Sequence, residues 1–129
     1  MRQFVVIMDK QEILSRTRQF AINVFKLVDL FPKSKASDVI AYQLLKSSSS
    51  VAANYRSVLR AKSRIDFINK LKIVLEEADE SNFWLTFLLD VQLMESKYLK
   101  NIELLIKESD EFVAMFTKSI ITTNQNNKS

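Results

Sequence analysis

The chain has 129 residues with no Gly, a single Pro and 47% apolar residues, which is the composition of a helical protein. Tight turns and sheet corners depend on Gly, so its absence argues against sandwiches, barrels and doubly wound sheets and excludes glycine-rich phosphate-binding loops. The chain also lacks Cys and His, which excludes disulfides, zinc sites, Ser-His hydrolases and imidazole acid–base chemistry. The net charge is +4. We expect one all-α domain that acts as a binding module, is not an enzyme and carries no cofactor.

Residues 1–8 form an N-terminal arm whose structure the sequence leaves open. The apolar run Phe4-Val5-Val6-Ile7-Met8 is followed at once by Asp9 and is too short for a signal peptide. It is an added strand, an ordered arm on a neighbouring subunit, or an upstream extension with Met8 as the true initiator. No stretch approaches the roughly 18 apolar residues of a membrane span, so we expect a cytoplasmic protein without a membrane partner.

The first two helices are predicted over residues 10–31 and 37–61, from apolar residues that recur at three-to-four spacing. Asp9 is the predicted N-cap of the first helix, with Glu12 completing a capping box, and Pro32 ends it. Ser37 is the predicted N-cap of the second. The buried stripes of these helices are expected to contain Ile13, Phe20, Val24, Leu27 and Phe31, and then Ile40, Leu44, Val51, Tyr55 and Val58.

The third and fourth helices are predicted over residues 64–94 and 97–121, and the polar tail 122–129 is expected to be disordered. Ser63 and Asp66 form a second capping-box pattern. Fusion of the second and third helices through Lys62 would give a three-helix protein, but the restart at Ser63 favours separate helices. Long helices joined by short connections pack antiparallel with their neighbours. The sequence therefore predicts an up-and-down antiparallel four-helix bundle over residues 9–121.

Four consecutive serines, Ser47 to Ser50, interrupt the second helix in composition but not in phase. Such a run is often flexible coil, yet Leu44 and Val51 keep the helical spacing across it. Because small side chains let backbones come near, we interpret the run as a helical segment in close contact with another helix.

Charge divides the chain into a basic and an acidic half. Residues 1–72 hold 14 Lys/Arg and 5 Asp/Glu, whereas residues 73–129 hold 5 and 10. One hypothesis is that the two patches pair across helices or subunits; the other is that basic residues bind nucleic-acid phosphates. The candidate nucleic-acid-binding residues are Arg56, Arg60, Lys62, Arg64, Lys70 and Lys72.

The acidic residues of the third helix suggest a metal site, but the lack of His argues against it. Di-metal sites in bundles use Glu-x-x-His motifs, and without His only an all-oxygen magnesium or calcium site would remain, so no metal is expected. Trp84 has helical spacing with its aromatic neighbours, which is more typical of core or interface residues than of a base-stacking platform. The acidic residues are Glu76, Glu77, Asp79 and Glu80. The aromatic residues are Phe83, Trp84 and Phe87.

The middle of the chain contains three distinctive segments: Gln43-Leu44-Leu45-Lys46-Ser47-Ser48-Ser49-Ser50-Val51-Ala52-Ala53-Asn54-Tyr55-Arg56, then Arg60-Ala61-Lys62-Ser63 with Asp66-Phe67-Ile68, and Glu76-Glu77-Ala78-Asp79-Glu80-Ser81 with Trp84-Leu85. Together these segments resemble the bacterial four-helix bundle family of 23S rRNA intervening-sequence proteins. The resemblance covers the second and third helices closely and the others loosely. The family usually has Gly or Thr within the serine run, where this chain has Ser49, and Gly after the Val, where this chain has Ala52.

The resemblance implies a homopentameric ring of bundle subunits without an established molecular activity. The fold is also similar to that of the accessory protein of diversity-generating retroelements, a basic pentameric barrel that binds nucleic acid. The expected partners are therefore other copies of the chain, RNA or DNA, and a further protein. Candidate interface residues are Asn54, Tyr55, Ser63, Asp66, Glu76, Glu77, Asp79, Glu80 and Trp84.

Overall fold

A computed structural model describes residues 9–128, with side chains to Gln125, and contains four α-helices there. In chain order they are α1 (Lys10–Val28), α2 (Lys35–Val58), α3 (Arg64–Asp90) and α4 (Leu99–Lys128), with a 3-10 turn at Ser96–Tyr98 before α4. No strand occurs between residues 9 and 128. The prediction of an all-α fold with four helices is confirmed, whereas the predicted N-terminal arm lies outside the described residues.

Side-chain caps fix where two of the helices begin. The Asp9 carboxylate accepts a hydrogen bond from the Gln11 backbone N–H at 3.1 Å, so Asp9 is the N-cap of α1 as predicted. The Ser63 hydroxyl accepts from the Asp66 backbone N–H at 3.0 Å and caps α3. The restart at Ser63 is thereby confirmed, and α2 and α3 are separate helices.

Helix α2 begins two residues earlier than expected. Its N-cap is Ser34, whose hydroxyl accepts from the Ser37 backbone N–H at 3.0 Å. Ser37 lies inside the helix and is 2% exposed, so the prediction of Ser37 as the cap was wrong. Both serines precede the apolar stripe, but only Ser34 has the extended backbone that lets a side chain reach the first turn.

The helices end at different residues from those predicted. In the turn after α1, the N–H groups of Leu30 and Phe31 bond to the carbonyls of Leu27 and Val28 at 2.9 and 3.0 Å. The three-to-four spacing of apolar residues therefore continues past the end of α1 at Val28. The predicted end at residue 31 was three residues too far along the chain. Conversely, α4 continues to Lys128, so residues 122–128, expected to be a disordered tail, continue the helix through its backbone hydrogen bonds.

Consecutive helices pack against each other in the order α1–α2–α3–α4, and α4 returns to α1 along a shorter contact. In the described chain no Cα atoms of the diagonal pairs α1–α3 and α2–α4 lie within 8 Å of each other, which is the arrangement of an up-and-down bundle. The core holds an aromatic cluster in which Phe112 meets Phe20 edge-on at 5.4 Å and stacks on Phe116 at 5.8 Å.

The serine run lies in a close contact between α2 and α3. Ser47 and Ser48 are both buried, and the Ser81 hydroxyl donates to the Ser47 hydroxyl at 2.9 Å. Two short side chains that touch across a helix pair require backbones that lie near each other. The predicted helical conformation of this run and its close helix–helix contact are confirmed.

No helix between residues 9 and 128 is long and apolar enough to cross a membrane.

Candidate nucleic-acid interface

The turn between α2 and α3 is held by the side chains of Ser63 and Asp66. One Asp66 oxygen accepts from the Lys62 backbone N–H at 3.0 Å and from the Lys70 ammonium at 2.9 Å. These two donors, Lys70 first, lower the pKa of the Asp66 carboxyl below its ordinary value. A turn bonded in this way holds the side chains of Lys62 and Arg64 toward solvent in a fixed register.

Most of the predicted nucleic-acid-binding residues are exposed cations without an ion pair in the described chain. This is true of Arg56, Arg60, Lys62, Arg64 and Lys72. Lys70 differs, because it is half-buried and its ammonium pairs with Asp66. The expectation that basic and acidic patches pair across neighbouring helices is therefore not met by these five residues within one described chain.

The turn belongs to a basic end of the bundle, where α1 and α3 begin and α2 ends. Lys10, at the start of α1, lies with its ammonium 5.8 Å from the centre of the Phe67 ring of α3. Lys10 and Lys118 of α4 line one cavity of about 390 Å³ with Phe67. We define the basic end as these residues and the turn: Lys10, Arg56, Arg60, Lys62, Arg64 and Lys118.

A groove between α1 and α2 leads to this end. It has a volume of about 960 Å³, a floor of small residues that includes Ala52 and Ala53, and apolar walls that include Ile22 and Phe25. Phe25 is 45% exposed. The charged residues along the groove are mostly basic: Arg18, Lys26, Arg56 and Arg60, opposed by Asp29.

The outward face of α3 has the opposite charge. Residues 73–96 contain six Asp/Glu and no Lys/Arg. Burial, and then the neighbouring charge of Glu80, raise the pKa of the Glu77 carboxyl, while Lys46 opposes them and Glu76 adds to them. Within the described residues, no group of three or more carboxylates is placed to hold a metal ion.

Phe83 and Phe87 lie on the same face of α3. Phe83 is 53% exposed and Phe87 37%, and their rings stack at 5.7 Å. Trp84 meets both rings edge-on and is half-buried against the core. Glu76, Asp79, Glu80, Phe83 and Phe87 thus form a face that is acidic toward the start of α3 and aromatic toward its end, and we call this face the α3 ridge.

Several predicted interface residues hold the chain itself together. Tyr55 is 4% exposed and stacks on Phe116 at 5.8 Å, so it belongs to the core and not to the surface. The Asn54 amide donates to the Ser50 carbonyl at 2.8 Å, and Ser63 and Asp66 form the turn described above. Among these candidates, the acidic residues of α3 keep exposed or half-exposed side chains.

The sequence did not reveal the contact that joins α1 to α4. The Arg16 guanidinium bonds to Glu108 at 2.6 Å and to Glu111 at 2.8 Å, and these carboxylates raise its pKa further above its ordinary value. The partners are 92 and 95 residues apart in sequence, so no local spacing indicates them. Arg18 and Lys26 were also missed, although helical phase places them on the side of α1 that faces the groove.

Comparisons with known proteins agree on one family. The family model described as 23S rRNA-intervening sequence protein matches residues 9–117. A crystal structure of a protein of unknown function from the S23 ribosomal protein family of Bacteroides thetaiotaomicron VPI-5482 is 29% identical, with a TM-score of 0.76. The match covers 88% of this chain and 98% of that one. The search of curated proteins finds no match.

Proposed function

Because the chain belongs to the 23S rRNA-intervening sequence protein family, we propose that it is a non-catalytic, oligomeric module that binds nucleic acid through its basic end. Phosphate groups are the ligands, and base sequence contributes little to the affinity. The absence of His and Cys from the chain supports binding over catalysis.

One observation carries the proposal: the cations around the α2–α3 turn have no carboxylate partner in the described chain. Arg56, Arg60, Lys62 and Arg64 form no ion pair, and the one acid of the turn, Asp66, is bonded to Lys70. Structural ion pairs use up charge, whereas these residues keep theirs available. Arg and Lys in such positions are the groups that contact phosphate oxygens.

Self-association would multiply this basic end. We propose a homopentameric ring, as the family resemblance implies, in which symmetry gathers several basic ends around one axis. A net charge of +4 in one chain is modest, but copies that share a nucleic-acid strand add their contacts through effective concentration.

Salt dependence of binding tests the phosphate contacts. The variant Lys62→Ala/Arg64→Ala loses two cations from the turn, and its matched control, Lys33→Ala/Lys35→Ala, loses two exposed cations from the opposite end of the bundle. Fluorescence anisotropy with labelled duplex DNA and single-stranded RNA, between about 50 and 200 mM salt, gives the slope of log affinity against log salt. Each lost phosphate contact lowers that slope by about 0.9 for duplex DNA and 0.7 for single strands.

For duplex DNA the slope of the turn variant should therefore be shallower than that of the wild type by about 1.8. Between 50 and 200 mM salt the variant should lose roughly twelvefold less affinity than the wild type loses. The opposite-end control should keep the wild-type slope. Binding that is undetectable at the lowest salt, or equal slopes for the turn variant and the wild type, would contradict the proposal.

A second function, a structural scaffold whose charges are consumed between subunits, is favoured by the opposite charges of the α1–α2 groove and the α3 ridge. In that case the partner is another protein chain, and nucleic acid is not bound. Reversal of the charges of Glu76 and Glu80 should then dissociate the assembly, and light scattering measures the change in mass.

A further inference from the structure

The α1–α2 groove is mostly basic and the α3 ridge is acidic, and both expose apolar side chains. We propose that the groove of one copy binds the ridge of a second copy in a head-to-tail contact. This inference rests on the self-association in the proposed function and identifies the surfaces that produce it.

Charge is the first argument. Helices α1 and α2 together contain seven Lys/Arg and two Asp/Glu, and no ion pair occupies Arg18, Lys26 or Arg56 within the described chain. The ridge comes from a stretch with six acids and no base. Opposite patches attract and orient two subunits, whereas groove against groove or ridge against ridge would repel.

Apolar surface is the second argument. Phe83 and Phe87 are exposed aromatic residues, one helical turn apart, at the C-terminal end of the ridge. The groove offers Ile22 and Phe25 as walls and small residues as a floor. A pocket that accepts an aromatic side chain, surrounded by charged residues, is the usual composition of an energetically important interface centre.

Length is the third argument. Along α3 the ridge runs from Glu76 to Phe87, which is about 16 Å at 1.5 Å per residue. Along α1 the groove is lined from Gln11 to Asp29, which is about 27 Å. The groove is therefore longer than the ridge and can take the whole of it.

The contact is heterologous, since it joins two different surfaces. After one contact, each pair still has an unused groove and an unused ridge, so copies continue to add until a ring closes. Arg56 and Arg60 belong both to the groove and to the basic end, whereas the turn residues Lys62 and Arg64 lie outside the groove lining, so substitutions at Lys62 and Arg64 test nucleic-acid binding without changing the assembly surfaces.

Two single substitutions separate the surfaces. Ala53→Glu places an acid in the groove, where it repels the acidic ridge; Ala53 is exposed, and Glu is a good helix former. Phe83→Lys removes an exposed ring and places a cation opposite the basic groove, and Glu80→Lys is a second ridge variant that leaves the aromatic residues in place. Their matched controls are Ala36→Glu and Leu104→Lys, at exposed positions outside both surfaces.

Size-exclusion chromatography with light scattering measures the result, with circular dichroism to verify folding. Wild type and both controls should have several times the 15.0 kDa mass of one chain. Each groove or ridge variant, measured alone, should have the mass of one chain. An equal mixture of Ala53→Glu and Phe83→Lys should regain a mass above that of one chain, because the intact ridge of the first variant meets the intact groove of the second, and at the other contact the introduced acid faces the introduced cation.

A mixture that stays monomeric would overturn the head-to-tail contact, and so would folded variants that keep the wild-type mass. If folded variants keep the wild-type mass, the chain still self-associates, and the result contradicts only the assignment of the groove and the ridge as the contact surfaces. A wild-type protein that is monomeric at every attainable concentration would contradict both this contact and the proposed ring.

Discussion

Replacement of Ser47 by Leu is expected to destabilise the bundle, because this serine stands where α2 and α3 lie nearest. Its hydroxyl accepts from Ser81 at 2.9 Å, and the residue is 1% exposed. A leucine side chain at this position has no free volume to enter. The helices must separate locally, or the new side chain must take an unfavourable rotamer.

The expected loss follows from three contributions. Overpacking a filled core costs about 1–3 kcal/mol, and loss of the hydroxyl contact costs about 1 kcal/mol. Leu is a better helix former than Ser by about 0.5 kcal/mol, which offsets part of the loss. The free energy of unfolding should fall by about 2–3 kcal/mol in total.

Urea unfolding followed by circular dichroism measures this loss. With an m-value of about 2 kcal/mol/M, the midpoint should fall by about 1–1.5 M. Ser47→Ala removes only the hydroxyl and should cost at most about 1 kcal/mol; Ser15→Leu, at an exposed position, should change the stability by less than about 0.5 kcal/mol. A Ser47→Leu protein as stable as the Ser15→Leu control would refute the close contact, and measurements at two protein concentrations separate folding from assembly.

Three further predictions concern charged and titratable groups. A double-mutant cycle of Arg16→Ala and Glu108→Ala should give a coupling of about 1 kcal/mol for the contact that joins α1 to α4; additive effects would show that the pair does not matter. Because the pKa of Asp66 is lowered in the folded chain, its stabilisation should be present above about pH 4 and lost as pH falls through the lowered pKa. The thermal midpoints of wild type and Asp66→Asn should therefore converge in acid, and a constant difference would contradict this. Burial raises the pKa of Tyr55 to about 12, so wild type should lose stability relative to Tyr55→Phe as pH rises from about 10 to 12; tyrosinate absorbance at lower pH in the folded protein would argue against it.

The helices were predictable because their signals are local. Pro32 and the Ser63–Asp66 pair mark boundaries within a few residues of sequence, and the apolar spacing predicts which face is buried. The boundary errors have a physical cause: Leu30 and Phe31 continue the apolar pattern into a turn, and spacing alone does not separate a helix end from the turn that follows. The cap at Ser34 was missed because two serines three residues apart fit the same pattern.

The candidate site was only partly predictable. The basic run from Arg56 to Arg64 is visible in the sequence, but its lack of ion pairs depends on how the helices pack. Lys70 illustrates this, because its ammonium bonds to Asp66 and is less available to a phosphate than the ammonium of Lys62. The groove was not predictable, since it combines residues of α1 and α2 that lie far apart in sequence, such as Arg18 and Arg56.

The order in which the helices pack has a consequence for how the chain reaches its native state. Each helix lies mainly against its neighbour in sequence, and only α4 must find α1 from a distance. Three successive hairpins can therefore form before a single closing step, and topologies of this kind reach the native state in microseconds to milliseconds. Helices α1 and α4 each have one long contact with a neighbour, whereas α2 and α3 each have two, so the backbone amides of α1 should exchange with solvent deuterium sooner than those of α3.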